Sequence, residues 1–160
     1  MRRIFVVLGL MMACGSAQAQ PASVPAAIAA LKSVIKDPIV WSAANAQKAD
    51  VTCDGKPDVI VFGAGQKTAG KETVWVGVVP GGGKPLAMEF PISSSVSNGF
   101  CRLPKKISVS PISCNTSALG RLDGCQESKT CKEFAVDDGT CGPFHFYWDS
   151  RLKGIRTWRK

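Results

Sequence analysis

Residues 73–92 open with Thr73-Val74-Trp75-Val76-Gly77-Val78-Val79, break at Pro80-Gly81-Gly82-Gly83, and return through Leu86-Ala87-Met88-Glu89-Phe90-Pro91-Ile92. A β-branched run, a Pro-Gly cluster and a second apolar run predict two antiparallel strands joined by a turn. Outward from this hairpin the pattern repeats. Val59 to Phe62 is a short apolar run behind a turn, and Ile107 to Ile112 is a weaker strand candidate. Phe134 to Val136 leads into Asp137-Asp138-Gly139, a turn signal. Phe144 to Trp148 and Ile155 to Trp158 form two last strands around Ser150 to Gly154. In the first of these, Phe144, Phe146 and Trp148 share one face, and His145 and Tyr147 share the other. Consecutive strands with short connections predict an antiparallel sheet.

One stretch has a different period. In Ser23 to Lys36, the residues Val24, Ile28, Leu31 and Ile35 recur at helical spacing. Ser23 is placed to cap the N-terminus, Pro25 is tolerated in the first turn, and Pro38 ends the segment. The expected fold is therefore α+β, mainly antiparallel β-sheet with one N-terminal helix packed on its apolar face. At 160 residues the chain has room for one domain, 20–160. Residues 113–130, rich in polar turn formers, read as a loop.

Residues 1–19 read as a separate object. Arg2 and Arg3 precede an apolar run, Ile4 to Ala13, and Ala17-Gln18-Ala19 fits a small-x-small cleavage site. The run is shorter than the roughly 20 apolar residues of a membrane-crossing helix. A signal peptide and a periplasmic or secreted product follow. Cys14, just after the apolar run, leaves a lipid anchor as the minor alternative. The six other cysteines, Cys53, Cys101, Cys114, Cys125, Cys131 and Cys141, then read as three disulfides, with 15 possible connectivities. Zinc is disfavoured, because there is no C-x-x-C pair and His145 is the single histidine.

Without Arg2 and Arg3, 18 basic residues face 12 acidic ones, a net charge of +6. That favours an anionic envelope component as partner and is too modest to argue for nucleic acid. Trp148, Arg156, Trp158 and Arg159 are the candidate binding residues, as cations interleaved with aromatics near the C-terminus.

Residues 50–58 read Asp50-Val51-Thr52-Cys53-Asp54-Gly55-Lys56-Pro57-Asp58. Oxygen-bearing side chains alternate, and Gly55 permits a sharp turn. Together with Val59-Ile60-Val61-Phe62-Gly63, the stretch resembles the calcium loop of FG-GAP and VCBS-type repeats, over 14 residues. The resemblance implies calcium held by Asp50, Thr52, Asp54 and Asp58 side chains and by the Lys56 carbonyl. Thr52 and Cys53 depart from the usual pattern, and a single copy cannot build the multi-bladed propeller of those families. A metal-free turn, in which the same carboxylates accept backbone N–H groups, is the competing reading.

Catalytic constellations are sparse. His145 lies among aromatics, Asp137 and Asp138 are adjacent and so diverge on a strand, and Gly81-Gly82-Gly83 lacks the lysine of a phosphate loop. Asn115-Thr116-Ser117 is a glycosylation sequon with meaning only in a eukaryotic route. The sequence thus favours a non-enzymatic exported domain for binding or envelope structure. An inhibitor of a lytic enzyme such as lysozyme and a hydrolase with an unrecognised carboxylate site are the alternatives.

Overall fold

A computed structural model describes residues 23–66, 71–93 and 98–159. The expected signal peptide, with Cys14, lies outside the described residues. The helix α1 spans Val24–Val34, with the Ser23 hydroxyl accepting the Ala26 N–H. It is followed by β1 (Ile39–Trp41), a single 3-10 turn (Ala43–Asn45), β2 (Gln47–Ala49), β3 (Asp58–Gln66), β4 (Glu72–Val79) and β5 (Leu86–Pro91). The second half contributes β6 (Lys106–Pro111), β7 (Asn115–Thr116), β8 (Gly120–Arg121), β9 (Lys132–Asp137), β10 (Phe144–Asp149) and β11 (Gly154–Trp158).

The strands form two larger antiparallel sheets. The first has the order β1-β3-β4-β5, with β2 also pairing β3, and the second has the order β11-β10-β9-β6. The fold class is thus the expected one, with a refinement. A sheet has two faces, and α1 covers only one of them.

The parity of β3 explains the layering. Val59 and Val61 face α1, where Ala27 and Leu31 meet them, while Ile60 and Phe62 face the second sheet. A strand covered on both sides reads as a continuous apolar run, which is why Val59 to Phe62 shows no alternation. The main core lies between the sheets. Val74, Val76, Val78 and Phe90 meet Ile107, Phe134, Val136, Phe144 and Phe146 there, and Phe134 stacks on Phe146 with centroids 4.6 Å apart.

Gly77 sets the helix-to-sheet distance. A Cβ at this position would stand 2.6 Å from Leu31 Cδ1 and 3.1 Å from Trp41 Cζ3. Leu31 is fully buried, so it has nowhere to retreat. Gly77→Val is expected to lower stability by about 1–3 kcal/mol through overpacking. An unchanged urea midpoint would remove this packing constraint.

Three disulfides brace the fold, and one of them joins the two sheets. Cys53–Cys131 joins the turn before β3 to the residue before β9, Cys101–Cys141 joins the approach to β6 with the β9–β10 turn, and Cys114–Cys125 closes the segment between β6 and β9 on itself. Those bonds are consistent with an oxidising, exported environment. No helix of the described residues is long and apolar enough to cross a membrane.

Residues 113–130 are more than the expected loop. β7 and β8 make a small hairpin in register Asn115↔Arg121 and Thr116↔Gly120, and Gly120 takes a positive φ of 68° at its end. The segment that carries this hairpin packs on the outer face of the second sheet through Ile112, Cys114, Leu122 and Cys125, and forms a flap there.

Candidate functional site: a cleft under the flap

Alternation along β9 and β10 points every second side chain away from the core. Glu133 and Ala135 on β9, and His145 and Tyr147 on β10, make up the outer face. Trp158 on β11 pairs with His145, and Ala135 pairs with His145 from the other side. An outer face this aromatic is unusual on an exposed sheet, and the flap covers part of it. Ile112, Cys114, Leu122 and Cys125 pack on Tyr147, with Trp158 at the margin.

The flap is fixed at several points. The Tyr147 hydroxyl donates to the Asp123 carbonyl at 2.9 Å, and the Ser150 N–H and hydroxyl both donate to the Gly124 carbonyl at 3.1 Å. Gly124, at φ 70°, lies against the Asp149 carboxylate so closely that a Cβ would collide with it. Arg151 pairs with Asp123 at 3.2 Å. Burial works to raise the Asp149 carboxyl. The N–H groups of Leu152 and Arg151 and the Arg156 guanidinium outweigh it and hold the group below its ordinary value.

Between the flap and the uncovered row of the sheet lies a cleft of about 520 Å³. Its floor is the His145–Trp158 pair, stacked with centroids 4.1 Å apart and planes 14° from parallel. The flap side supplies Ser113, Asn115, Thr116 and Ser117, and the β9–β10 side supplies Cys141, Gly142 and Pro143. Glu133 and Arg159 bring the charge. Both make hydrogen bonds inside the protein, although the Arg159 Nε is buried without a partner. The Glu133 carboxylate accepts the Ser113 N–H at 3.1 Å and the Ser110 hydroxyl at 3.3 Å. Arg159 lies over the Phe144 ring at 4.3 Å and donates to the carbonyls of Gly99 at 2.6 Å and Gly142 at 2.8 Å.

The wall beside Arg159 is equally well held. Asp138 is fully buried and accepts N–H groups from Cys101, Thr140 and Cys141, at 2.7, 2.7 and 2.9 Å. Burial works to raise its carboxyl, but these N–H groups and that of Arg102 hold it below its ordinary value. Asp137 and Asp138 therefore make a turn, with Asp137 accepting the Gly139 N–H.

The four predicted binding residues separate. Trp158 and Arg159 line the cleft. Arg156 turns to Asp149 at 3.3 Å and Asp123 at 3.9 Å, so its charge is used within the protein. Trp148 lies elsewhere, in a smaller hollow of about 290 Å³ with Asp54, Lys84 and Lys153. Glu133 and the flap residues escaped sequence reasoning as a site. Alternation in Lys132-Glu133-Phe134-Ala135-Val136 does put Glu133 opposite the core, but nothing local says that a flap will cover it.

The 50–58 loop is held by its own amides. Asp50 accepts the N–H groups of Asp54 at 3.2 Å and Gly55 at 3.1 Å, and Asp54 accepts that of Lys56 at 2.8 Å. Asp58 is fully buried and accepts N–H groups from Val51, Thr52 and Gly81, plus the Thr52 hydroxyl. Burial pushes the Asp58 carboxyl up against the lowering effect of those bonds. Lys56 reaches toward Gly81 and Gly82.

With both its oxygens doubly engaged, Asp58 has no lone pair to spare, whereas Asp50 and Asp54 do. Among the described residues, Asp50, Asp54 and Asp58 do not form a compact group of candidate ligand atoms. The group that does is Cys101, Asp138 and Cys141, whose two sulfurs are bonded to each other. A calcium ion taking Asp58 as a ligand would have to displace hydrogen bonds that its carboxylate makes within the protein. Melting temperatures in millimolar calcium and in excess EDTA are expected to agree within about 1 °C. A rise of several degrees in calcium that Asp54→Ala abolishes would restore the ion.

Comparison with protein-family models, curated proteins and solved structures finds no match.

Proposed function

We propose that this chain is exported to the periplasm and works there as a non-enzymatic binding domain, with the cleft under the flap as its binding site. The observation that carries the reading is the half-covered outer face. A stacked His145–Trp158 floor stays open beside a flap that Cys114–Cys125 locks in place. A volume of about 520 Å³ lies within the range of pockets that enclose small ligands.

A binding role also agrees with the charge arrangement. Glu133 is the single carboxylate among the residues lining the cleft, and it is held by Ser110 and Ser113. Glycoside hydrolysis by carboxylates canonically uses two acids flanking the scissile bond. Exposing the aromatic floor to water also has a cost that a ligand recovers.

The test is native mass spectrometry of the protein recovered from its envelope fraction. We expect a bound small molecule on the wild type and none on Ser117→Trp, which fills the cleft from the flap side. Equal occupancy in both, or turnover in a broad hydrolase panel, would sink the reading.

A further inference from the structure

The ligand's chemistry can be read from the lining, given the binding role proposed above. The floor is aromatic: Trp158 stacks on His145 with one face of the indole against the imidazole, and the indole Nε1 is buried without a hydrogen-bond partner. The rim is polar but carries little net charge. Thr116 uses its hydroxyl within the flap, accepting the Leu119 N–H and donating to the Gly120 carbonyl. Ser113 donates to the Asn115 carbonyl. The Asn115 amide nitrogen donates to Glu127 at 3.5 Å, which leaves its carboxamide oxygen and the Ser117 hydroxyl as short polar groups of the lining residues.

The two charged residues disfavour a charged guest. Glu133 and Arg159 carry opposite signs, so their fields oppose one another; the Glu133 oxygens and the Arg159 terminal nitrogens are hydrogen-bonded within the protein, while the Arg159 Nε is buried without a partner. An anion entering the cleft meets Glu133, and a cation meets Arg159. Each charged guest meets a like charge in the same cleft, which offsets its attraction to the opposite one while it loses hydration.

A flat aromatic guest fits the floor but not the rim. It would strip water from the Ser117 hydroxyl and the Asn115 carboxamide and return no hydrogen bonds. The guest that matches both surfaces has an apolar face and a hydroxylated edge. We infer that the cleft binds a neutral sugar ring of an oligosaccharide, with its C–H face on Trp158 and its hydroxyls toward the 113–117 segment.

Calorimetric titration of the mature protein tests this with four probes: a neutral N-acetylglucosamine tetramer, neutral maltotetraose, anionic trigalacturonate and indole. At least one neutral sugar is expected to bind, with both other probes weaker. Trp158→Ala should weaken that sugar by about tenfold or more, as for an aromatic anchor, while Trp158→Phe stays within about threefold. Melting curves of both variants confirm that the fold persists. Preference for indole or trigalacturonate, or neutral-sugar binding indifferent to Trp158→Ala, overturns the sugar assignment. The binding role survives that outcome if Ser117→Trp still abolishes the preferred probe. Silence from every probe, with no molecule bound in native mass spectrometry, overturns both.

Discussion

Replacing Cys53 and Cys131 together by alanine is expected to lower the free energy of unfolding by about 4–5 kcal/mol, the largest single effect in this protein. The two cysteines are 78 residues apart in sequence, so their bond restricts the unfolded chain more than Cys101–Cys141, at 40, or Cys114–Cys125, at 11. The bond also joins the two sheets at one end, next to a hydrogen bond from the Lys132 N–H to the Asp50 carbonyl at 2.7 Å. A domain of this size has a total stability of about 5–15 kcal/mol, so the double variant should be close to unfolding at 37 °C.

Cys53 supplies an internal control. Its φ of 59° is a left-handed conformation that a side chain adopts at a cost. Glycine at 53 with alanine at 131 should therefore recover about 1 kcal/mol over the double-alanine protein. Urea unfolding of the three proteins measures both numbers. If the double-alanine protein unfolds at the wild-type midpoint, the inter-sheet bond does not stabilise the fold.

The second large effect belongs to Asp138. Asp138→Ala leaves the N–H groups of Cys101, Thr140 and Cys141 without their acceptor, in a part-buried turn. A loss of about 2–4 kcal/mol is expected. The same group shapes the acid response. Its carboxyl is held below its ordinary value in the folded state, as is that of Asp149, so at low pH the unfolded chain binds more protons than the native one. Stability from these two groups is complete above the unfolded carboxylate range. It falls as pH drops below about 4, through the depressed folded values. Asp58, raised by burial, contributes with the opposite sign over its own window. Unfolding midpoints at several values between pH 2 and 7 should rise with pH for the wild type, and less steeply for Asp138→Asn. Parallel slopes in the two proteins would show that Asp138 is not a source of the acid sensitivity.

Much of this architecture could be read from local pattern. The Val24–Ile35 periodicity, the hairpin across Pro80 to Gly83, and the alternation in Phe144 to Trp148 each depend on neighbours close in sequence. They recur in α1, in the β4–β5 pair and in β10. What stayed hidden depends on distance along the chain. β1 and β2 are three residues each, too short to show a period. The cysteine pairing follows from which turns the sheets bring together, and no spacing encodes that. The cleft is assembled from segments near 115, 133, 143 and 158, so its polar rim and aromatic floor meet only after both sheets form. The 50–58 loop was legible as a turn rich in carboxylates. Which partners those carboxylates take depends on burial, and Gly81, a donor to Asp58, comes from 23 residues away.

The fastening of the flap to the β10–β11 turn has a dynamic consequence. The Ser150 N–H is bonded to Gly124, the Leu122 N–H to Cys114, and the Arg151 and Leu152 N–H groups to Asp149, which itself abuts Gly124. No one of these bonds can open far without loosening the others. In a hydrogen–deuterium exchange experiment, the amides of Leu122, Ser150, Arg151 and Leu152 should therefore exchange with one shared opening energy. That energy should lie below the one protecting the β3–β4 ladder, making the flap and this turn a single cooperative unit of the native state.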